Sequence, residues 1–478
     1  MLFIFVVPLT TPPESPIIHN RKIGLRTKKW SITMKKQLIN LLSLTLLSTA
    51  ILTGCTHNDT KNPTASSNPQ VTQSSNASSE PETTEKADVS KKPTTEPLST
   101  GEAPAGEMLT DANMITALAK AVLSNMTLEE KVGQMFIVNL ESLDETKGTF
   151  FEHRKVTKKM KKSLSEYPVG GVILFSRNIE TRSQTIQLNE TLQANSKIPL
   201  WISVDEEGGD VARIANNPNM KTTIFPSMEL IGASEDSEYC YNMGQTIAKE
   251  IKELGFNLDF APVADVRTNE NNTEIGNRSF GRDADMVAKF SSAVVKGLQS
   301  ENVSSTLKHF PGHGDAQGDT HKQSVNIGSD INRLRNVDFV PFKEGIKAGA
   351  DFIMISHISI SRVAGNTLPA SLSPLVMQDI VRDELGFTGV VITDSMDMKA
   401  ITDHYTSQEA VMKSIRAGAD VILVPADFTD AYNTVVNAVI TDDISESRIN
   451  TSVQRILETK IRRGLILSDT ELIYKNEK

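Results

Sequence analysis

Residues Val390–Asp394, with the sequence VVITD, are four residues typical of a buried β-strand followed directly by a carboxylate. Seven other short apolar runs occur along the chain, and longer amphipathic segments separate them. Strands that alternate with helices are typical of a parallel sheet, and eight strands are the number that closes a barrel. The sequence therefore predicts an α/β fold of the (β/α)8 TIM-barrel type, with a doubly wound open sheet as the alternative. The eight runs are Met135–Leu140, Val169–Phe175, Leu200–Val204, Leu258–Val263, Ser304–Lys308, Phe352–Ser356, Val390–Thr393 and Val421–Val424.

Polar residues follow several of these runs at the point where the chain leaves the apolar stretch. Asp205 ends the third run, His309 the fifth, His357 the sixth and Asp394 the seventh. The carboxyl ends of the strands of a (β/α)8 barrel meet at one mouth, where such proteins carry their chemistry. We therefore expect these four side chains to converge on one site.

Asp394 has the placement expected of a catalytic nucleophile, because a buried strand would hold its carboxylate at the rim of the sheet. One alternative is that Asp394 caps a following helix that starts near Ser395. Asp397, three residues later, is the other carboxylate that could act as the nucleophile. The residues alone leave these interpretations open.

A loop rich in histidine and glycine follows the fifth run. It has the sequence KHFPGHGD over Lys308–Asp315 and continues through Asp319 and His321. Proline and glycine disfavour a helix here, and a carboxylate two residues before an imidazole can raise the pKa of that imidazole and fix its tautomer. His321 is therefore a candidate general acid/base. One alternative is a loop histidine that only forms hydrogen bonds. The other is a metal site formed by His309, His313 and His321, which the Pro-Gly pair disfavours because it breaks a helix.

Two further segments carry the planar charged groups that suit sugar hydroxyls. Asp205–Gly209 has the sequence DEEGG and is followed by Arg213, and Asn277–Gly281 has the sequence NRSFG and contains Arg278. Carboxylates and guanidinium groups can make paired hydrogen bonds to neighbouring hydroxyls. The same residue types also form ordinary surface salt bridges, so neither segment is decisive alone.

The overall composition excludes some functions. The chain has 478 residues, with 50 Lys and Arg against 59 Asp and Glu and a net charge of -9. It therefore offers no basic field for nucleic acid. Its two cysteines, Cys55 and Cys240, lie in segments of different character, so no disulfide framework is expected. Cys240 is expected to be a small core residue of a helix.

The N-terminal part of the chain has the pattern of an export signal. Basic residues after Met34, an apolar stretch and the sequence LTGC ending at Cys55 resemble a bacterial lipobox. This resemblance predicts a signal peptide at 34–54 and a lipid on Cys55, so that the protein is extracytoplasmic and anchored to the membrane without spanning it. Residues 1–33 fit no part of such a signal and are expected to be a non-native extension.

The remaining chain divides into a linker and one large domain. Residues 55–107 are rich in Ser, Thr, Pro and Asn, which predicts a disordered tether. The capping-box sequence Thr127–Glu130 marks the start of regular folding signals, which continue to about Ile466. We therefore expect a single catalytic domain over 108–478.

Taken together, these segments resemble family 3 glycoside hydrolases, in particular the bacterial β-N-acetylglucosaminidase (β-hexosaminidase) branch. The resemblance implies that Asp394 is the nucleophile and that His321 with Asp319 is the acid/base dyad. It also implies a set of residues that hold the terminal sugar, namely Asp205, Arg213, Arg278, Lys308 and His309. The matching stretches are Asp205–Arg213, Gly255–Val266, Asn277–Asp283, Lys308–His321 and Gly386–Ala400.

The resemblance implies a retaining exo-β-N-acetylglucosaminidase that forms a covalent glycosyl-enzyme and needs neither a metal nor a cofactor. The expected partners are oligosaccharides that contain N-acetylglucosamine, with peptidoglycan fragments favoured over chitooligosaccharides, and no protein partner is expected. Glu206 departs from the glutamine that is frequent in the family. The chain is also expected to lack the second α/β domain that supplies a glutamate acid/base in the β-glucosidase branch.

Three other functions are compatible with the same residues. A neutral imidazole would not repel an anionic acceptor, so phosphorolysis is a variant of this chemistry. A sugar-binding lipoprotein without catalysis and a metal-dependent hydrolase are the others. The charged insertion Glu141–Lys162 is expected to border the aglycone side of the site.

Overall fold

The structure is a computed structural model that describes residues 112–467. Within this range no helix is both long and apolar enough to span a bilayer. The predictions for the N-terminal extension, the signal peptide, the lipid on Cys55 and the tether all fall outside the described residues. They therefore stay predictions.

The described chain alternates strands and helices, as the spacing of apolar runs predicts. A short strand or bridge follows most of the long helices. The strands β1, β2, β3, β6, β7, β9, β11 and β12, called the central strands below, are buried on both faces. The strands are β1 Phe136–Val138, β2 Gly171–Ile173, β3 Trp201–Val204, β4 Glu206–Gly208, β5 Val211–Ala212, β6 Leu258–Asp259, β7 Thr306–Phe310, β8 Val325–Asn326, β9 Phe352–Ile355, β10 Ile358–Ser359, β11 Val390–Thr393 and β12 Ile422–Leu423.

The helices lie mainly between consecutive central strands. A further helix with π-type hydrogen bonds covers Leu375–Glu384. The α-helices are α1 Ala112–Ser124, α2 Leu128–Gln134, α3 Leu140–Leu143, α4 Lys158–Glu166, α5 Arg182–Ala194, α6 Met228–Gly232, α7 Ser237–Lys252, α8 Ala284–Ser300, α9 Ile331–Arg333, α10 Phe339–Lys347, α11 Ser361–Ala364, α12 Lys399–Thr402, α13 Ser407–Ala417, α14 Phe428–Ile440 and α15 Glu446–Arg462.

Eight of the strands pair in parallel with one another. One sheet has the order β12-β1-β2-β3-β6 and another the order β11-β9-β7. Parallel bridges join the two sheets at both edges, from Leu258 to Ser304 and Val263 to Lys308 on one side, and from Ile392 to Val421 on the other. Each of the eight strands therefore has a parallel neighbour on both sides, and the predicted α/β class with parallel strands is confirmed.

Of the eight predicted runs, only Val390–Thr393 has the same bounds as its strand, and two of the differences concern residues near the site. The fifth strand extends to Phe310, which pairs with Ile355, so His309 lies inside the strand rather than after it. The fourth run shortens to β6, and only Val263 rejoins the ladder as an isolated bridge, beyond a cis Ala261–Pro262 bond. Pairing with the neighbouring strand decides both boundaries, and that partner cannot be read from local hydrophobicity.

The described chain begins with a helix that lies ahead of the capping-box signal. The capping box at Thr127 is present and opens α2, with the Thr127 hydroxyl accepting from the Glu130 amide. Folding begins earlier than this signal, however, because α1 precedes it. Its apolar face, which includes Ile115, is buried, and Thr116 donates a hydrogen bond of 3.0 Å to Glu458 of α15.

Helix α15 contacts the chain at the amino-terminal ends of several parallel strands. Lys460 is fully buried and donates to Gln134 Oε1 at 2.7 Å, to the Gly170 carbonyl at 2.9 Å and to the Pro199 carbonyl at 2.6 Å. These three acceptors immediately precede β1, β2 and β3. Arg455 reaches Asp420, just before β12, at 2.9 Å. This end of the sheet is therefore held by one helix, which leaves the opposite end to the functional groups.

Candidate functional site

A cavity of about 560 Å³ opens at the carboxyl ends of the parallel strands. Its polar walls are supplied by residues that follow six of the eight strands, and its floor contains Met354 and Leu423. The charged and imidazole side chains that line it are Glu141, Arg177, Asp205, Glu207, Arg213, Glu274, Arg278, Lys308, His309, His313, His321, Asp394, Asp397 and Lys399.

A network of buried ion pairs forms one wall of the cavity. Lys308, whose side chain is 2% exposed, lies 2.8 Å from Asp205 Oδ1 and 2.6 Å from Glu207 Oε1. Arg278 binds Glu207 through two parallel hydrogen bonds of 2.8 and 2.7 Å. Arg213 Nη2 lies 3.7 Å from Asp205 Oδ2, and its buried Nε has no hydrogen-bond partner among the described residues. The wall thus offers donors and acceptors held in fixed positions, as recognition of a polyhydroxylated ligand requires.

The pKa values in this network keep its groups charged. Burial would raise the pKa of Glu207, but the Arg278 and Lys308 cations outweigh burial and lower it. Burial would likewise lower the pKa of Lys308, but Asp205 and Glu207 raise it. Each ion is stable in this poorly solvated position only because its partners are present.

Glu206, the departure from the family's glutamine, does not face the cavity. It is 3% exposed, and its two carboxylate oxygens accept hydrogen bonds of 2.8 Å from the amides of Ile214 and Ala215. Burial raises its pKa to about 7. Glu206 therefore shapes the turn after β5 that presents Arg213, a contact that a glutamine oxygen could make in part.

Asp265, a residue after β6 for which the sequence predicted no role, aligns two histidines, His309 within β7 and His313 in the loop that follows it. Its buried carboxylate lies 2.7 Å from His309 Nδ1 and accepts from the backbone amide of His313 at 2.6 Å. Because His309 Nδ1 must donate to this carboxylate, its Nε2 is the atom left to face the cavity. Burial opposes ionisation of Asp265, but both histidines lower its pKa.

Asp394 lies half-buried at the end of β11 and lines the cavity. Its Oδ1 accepts from the Ser395 amide at 2.7 Å. Burial would raise its pKa, but His357 and His309 outweigh burial and lower it, so the carboxylate is ionised. The helix-cap alternative is wrong, because the next helix, α12, begins at Lys399 with Met398 as its N-cap.

His357, the strand-end histidine of β9, is buried behind Asp394 and does not line the cavity. Its Nε2 lies 2.8 Å from the Ser395 carbonyl and its Nδ1 lies 2.7 Å from the Ser371 hydroxyl. A carbonyl can only accept, so Nε2 carries the proton, and burial lowers the pKa of the ring. His357 therefore supports the segment that follows Asp394 through its hydrogen bond to the Ser395 carbonyl.

Asp397, the rival carboxylate, also lines the cavity but differs from Asp394 in its surroundings. It is exposed and accepts from the Ser395 hydroxyl at 2.8 Å. Desolvation and the nearby Asp394 charge raise its pKa. Of the two carboxylates, Asp394 is thus the one that directly follows a strand and whose pKa is lowered.

The predicted Asp319 and His321 pair is present in the loop after β7. His321 Nδ1 lies 2.9 Å from Asp319 Oδ1, and the same carboxylate accepts from the His321 amide at 2.9 Å. A second carboxylate, that of Glu274, lies 3.4 Å from Nδ1. Glu274 and Asp394 raise the pKa of His321 to about 9 against the opposing effect of burial. Nε2 is consequently the ring atom available for proton transfer.

The alternative metal site, formed by His309, His313 and His321, is not assembled in the described chain. Among residues 112–467, one group of His, Cys, Asp and Glu side chains has its potential ligand atoms within 4.8 Å of one another. This group is Glu274, Asp319 and His321. His309 and His313 lie with ring centroids 6.0 Å apart and share Asp265 instead.

The insertion expected to border the site does line it. Glu141 and Phe150 come from this segment, and Arg177 follows β2. Arg177 Nε donates to Glu141 Oε1 at 2.6 Å and its guanidinium lies 4.3 Å from the centre of the Phe175 ring. This wall is distinct from the Lys308 network, because its residues follow β1 and β2 in the chain.

The sequence reasoning located most of the site but not all of it. All the predicted sugar-binding residues, with Asp394 and His321, line one cavity, whereas Asp319 lies behind His321. Glu207 lies in the DEEGG segment and Asp265 lies in Gly255–Val266, two of the stretches that resemble the family. The sequence therefore offered a signal for both residues. Glu274 had no sequence signal, because its partner His321 is 47 positions away. Cys240 is a buried free thiol in α7, as predicted.

Comparison with known proteins adds a family to this geometry. Residues 127–459 match the model of the Glycosyl hydrolase family 3 N terminal domain. The chain is 34% identical over 327 residues to Beta-hexosaminidase A of Pseudoalteromonas piscicida, a match that covers 63% of this chain and 54% of that protein. It is 38% identical over 262 residues to Beta-hexosaminidase of Stenotrophomonas maltophilia (strain K279a), covering 54% of this chain and 76% of that one.

A solved structure of the same family is also similar to this chain. A glycoside hydrolase family 3 beta-N-acetylglucosaminidase from Paenibacillus sp. str. FPU-7 superposes with a TM-score of 0.66 at 35% identity, covering 73% of this chain and 68% of that chain. The chain spans about half the length of the Pseudoalteromonas relative, so similarity to that protein concerns one part of it.

Proposed function

Because the chain belongs to glycosyl hydrolase family 3, we propose that it is a retaining exo-β-N-acetylglucosaminidase of the β-N-acetylhexosaminidase type. One observation carries the proposal. An ionised carboxylate, Asp394, and a protonated imidazole, His321, line the same cavity as the Asp205, Lys308 and Arg278 network. A nucleophile, an acid and a sugar-binding wall are the parts that retaining hydrolysis requires.

We also infer that the eight parallel strands close a (β/α)8 barrel of the TIM type. The support is that each strand has a parallel neighbour on both sides. The cavity then lies at the carboxyl-terminal mouth of the barrel, where strand ends from several positions can act on one substrate.

In the first step of the proposed reaction, the Asp394 carboxylate attacks the anomeric carbon of the terminal sugar. The bond to the leaving oxygen breaks, and that oxygen takes the proton from His321 Nε2. Asp205, Arg213, Arg278, Lys308 and His309 hold the hydroxyl and amide groups of the sugar. Their buried ion pairs fix these donors and acceptors before the substrate arrives, so little reorganisation is needed.

In the second step, water attacks the anomeric carbon of the glycosyl-enzyme. His321, now neutral, takes a proton from the water, and the bond to the Asp394 oxygen breaks to release the sugar with its configuration retained. Asp319 accepts from Nδ1 in both steps, which keeps Nε2 directed at the reacting oxygen. The raised pKa of His321 suits it to regain this proton.

The first experiment is hydrolysis of p-nitrophenyl N-acetyl-β-D-glucosaminide by the full chain and by Asp394→Asn and Asp397→Asn. We expect nitrophenol from the parent and the Asp397 variant, and none from the Asp394 variant. Trapping with a 5-fluoro glycosyl fluoride, followed by peptide mass spectrometry, should place the sugar on Asp394. A trapped sugar on Asp397 would move the nucleophile, and no turnover by the parent would point to a binding protein.

The acid is tested separately with His321→Ala. This variant should lose far more activity on substrates with sugar leaving groups than on aryl glycosides, because nitrophenolate leaves without a proton. Equal losses on both substrates would remove His321 from this role.

For the natural substrate we propose peptidoglycan fragments, with chitooligosaccharides as the second class. The relatives' names support a substrate that ends in N-acetylglucosamine, and the expected location outside the cytoplasm is the reason for placing peptidoglycan first. The comparison to make is kcat/KM for a disaccharide in which N-acetylglucosamine is linked to an N-acetylmuramyl unit and for N,N′-diacetylchitobiose. A higher value for chitobiose would reverse the order.

We also propose that the protein is an extracytoplasmic lipoprotein anchored through Cys55. The support is the LTGC sequence after an apolar stretch. Metabolic labelling with palmitate should label the parent chain and not Cys55→Ala. A labelled Cys55→Ala chain, or an unlabelled parent recovered from the cytoplasm, would contradict this proposal.

A further inference from the structure

Glu274 is a carboxylate of the cavity that the proposed mechanism does not use. It lies in the segment between β6 and α8, and its side chain is 20% exposed. One carboxylate oxygen, Oε1, lies 3.4 Å from His321 Nδ1 and 3.7 Å from Arg278 Nη1. The side chain therefore contacts the same ring nitrogen of the acid/base as Asp319 does.

The charges around His321 are not evenly compensated. Asp319 has its own cation, because Lys322 Nζ lies 2.7 Å from Asp319 Oδ2. Arg278, the cation nearest to Glu274, is already bound to Glu207 by two shorter hydrogen bonds.

The other titratable groups close enough to influence His321 are Asp394, at the end of β11, and the buried His357, at the end of β9. One of them is an anion and the other is a ring whose pKa burial lowers. Glu274 therefore contributes a negative charge beside His321 that no dedicated partner neutralises.

We propose that Glu274 is a positioning and specificity-determining residue, which holds His321 over the cavity and reserves the acceptor position for water against anionic acceptors such as phosphate. The inference rests on the proposed function, since it concerns the second step of that reaction. It assigns to a third residue the choice between hydrolysis and phosphorolysis.

The two acceptors make different demands on the site. When water attacks the glycosyl-enzyme, a new C–O bond forms, the bond to Asp394 breaks and His321 takes a proton from the water. When hydrogen phosphate attacks, the same bonds form and break, but the attacking oxygen carries no proton and the product is a sugar 1-phosphate. Water thus needs a base, whereas phosphate needs a site that tolerates its two negative charges.

Glu274 acts on both demands in the same direction. After the first step His321 has lost its proton, so a neutral ring stands beside the Glu274 carboxylate, and a dianion that approaches the ring is repelled by this charge. The same carboxylate makes His321 a stronger base, since Glu274 is the largest influence that raises the pKa of this ring. Water is therefore favoured by base strength and phosphate is disfavoured by charge.

The test measures both products in one reaction. Parent, Glu274→Gln and Glu270→Gln chains are incubated with the nitrophenyl glycoside and inorganic phosphate, and free sugar and sugar 1-phosphate are separated and counted. Glu270 is the matched control, because it lies in the same segment, is exposed, pairs with Arg282 and does not line the cavity. We expect the parent and the Glu270 variant to form free sugar almost alone.

In Glu274→Gln the ratio of sugar 1-phosphate to free sugar should rise on the order of tenfold or more, as expected when one unit charge near a dianion is removed. The pH at which His321 loses its proton, read from the basic limb of kcat/KM on a disaccharide, should fall in the same variant. A purely structural role would lower all rates without moving either the ratio or this limb.

Several outcomes would overturn the proposal. Abundant sugar 1-phosphate from the parent would show that Glu274 does not exclude phosphate, and an unchanged product ratio in a folded Glu274→Gln chain would remove it from acceptor choice. If the glutamine variant does not fold, Glu274→Ala replaces it under the same criteria. Failure of the proposed function is distinguishable, because the parent would then release no nitrophenol with or without phosphate.

Discussion

Lys308 and Lys460 are both buried lysines, and they lie at opposite ends of the parallel strands. Lys308 contacts two carboxylates at the cavity, whereas Lys460 contacts an amide oxygen and two carbonyls at the other end. Replacing each with methionine keeps the length of the side chain and removes the charge. We expect the two variants to differ in stability, in pH dependence and in catalysis.

The cost of Lys308→Met follows from the groups left behind. Asp205 and Glu207 lose their shared cation. Glu207 keeps Arg278, but Asp205 is left with Arg213, whose Nη2 lies 3.7 Å from Asp205 Oδ2. Breaking a buried pair by removing one partner costs about 3–5 kcal/mol of unfolding free energy. Lys460→Met removes three hydrogen bonds to neutral acceptors, and we expect a loss of about 1–3 kcal/mol.

The pH dependence has a defined sign. The pKa of Glu207 is lowered from 4.5 in the folded chain, so its contribution to stability is present above about pH 4.5 and declines as pH falls towards the folded value. The pKa of Lys308 is raised from 10.5, so its contribution is present below that pH. The cost of Lys308→Met should therefore be full between about pH 5 and 10 and shrink in acid.

For Lys460 the sign is reversed. Burial lowers its pKa well below 10.5, so the unfolded chain binds the proton more tightly and the parent gains stability as pH rises towards 10.5. The cost of Lys460→Met should grow over that range.

Urea unfolding at several pH values, monitored by circular dichroism, measures these costs, and the nitrophenyl glycoside measures catalysis. Lys308→Met should lose nearly all turnover, while Lys460→Met should keep the parent's kcat/KM in the folded fraction. A loss below 1 kcal/mol for Lys308→Met at neutral pH, or a loss that is the same at pH 4 and pH 7, would refute this account of the network.

Three further predictions concern the groups that align the site. Asp265→Asn should lower kcat/KM roughly 100-fold, because an amide cannot accept from both His309 Nδ1 and the His313 amide as the carboxylate does; a change below threefold in steady-state kinetics would contradict this. Arg278→Lys keeps the charge but loses the paired hydrogen bonds to Glu207, so kcat/KM should fall about tenfold, whereas an unchanged value would show that charge alone suffices. On a disaccharide, kcat/KM of the parent should decline as pH rises through about 9, where His321 loses its proton, and a decline centred near 6.5 would contradict the raised pKa.

The sequence predicted which segments form strands better than it predicted which strands and side chains contact one another. Val390–Thr393 is a strand as predicted, because four consecutive apolar or β-branched residues are typical of a strand that is buried on both faces. The Asp319 and His321 contact was predictable for a similar reason, since two residues of separation in one loop brings the groups within reach. Local order of residues was sufficient in both cases.

Other features depend on partners that are remote in the sequence. The strand that contains His309 extends because β9 lies beside it, 42 or more positions later, and Asp265 is functional because it meets a histidine from another strand. Glu274 meets His321 only through the folded arrangement of two loops. Helix α1 lay ahead of the first clear capping signal, and it is stable through burial against the domain rather than through its own sequence.

The contacts of Lys460 bear on the order of events during synthesis. This residue lies in the last helix of the described chain, yet its ammonium group is what the carbonyls of Gly170 and Pro199 bond to, ahead of β2 and β3. A nascent chain that has made these strands but not α15 lacks the donor that these carbonyls bind in the complete domain, so they need another partner such as water. The hydrogen bonds at this end of the parallel strands are thus completed only after the last described helix has been synthesised.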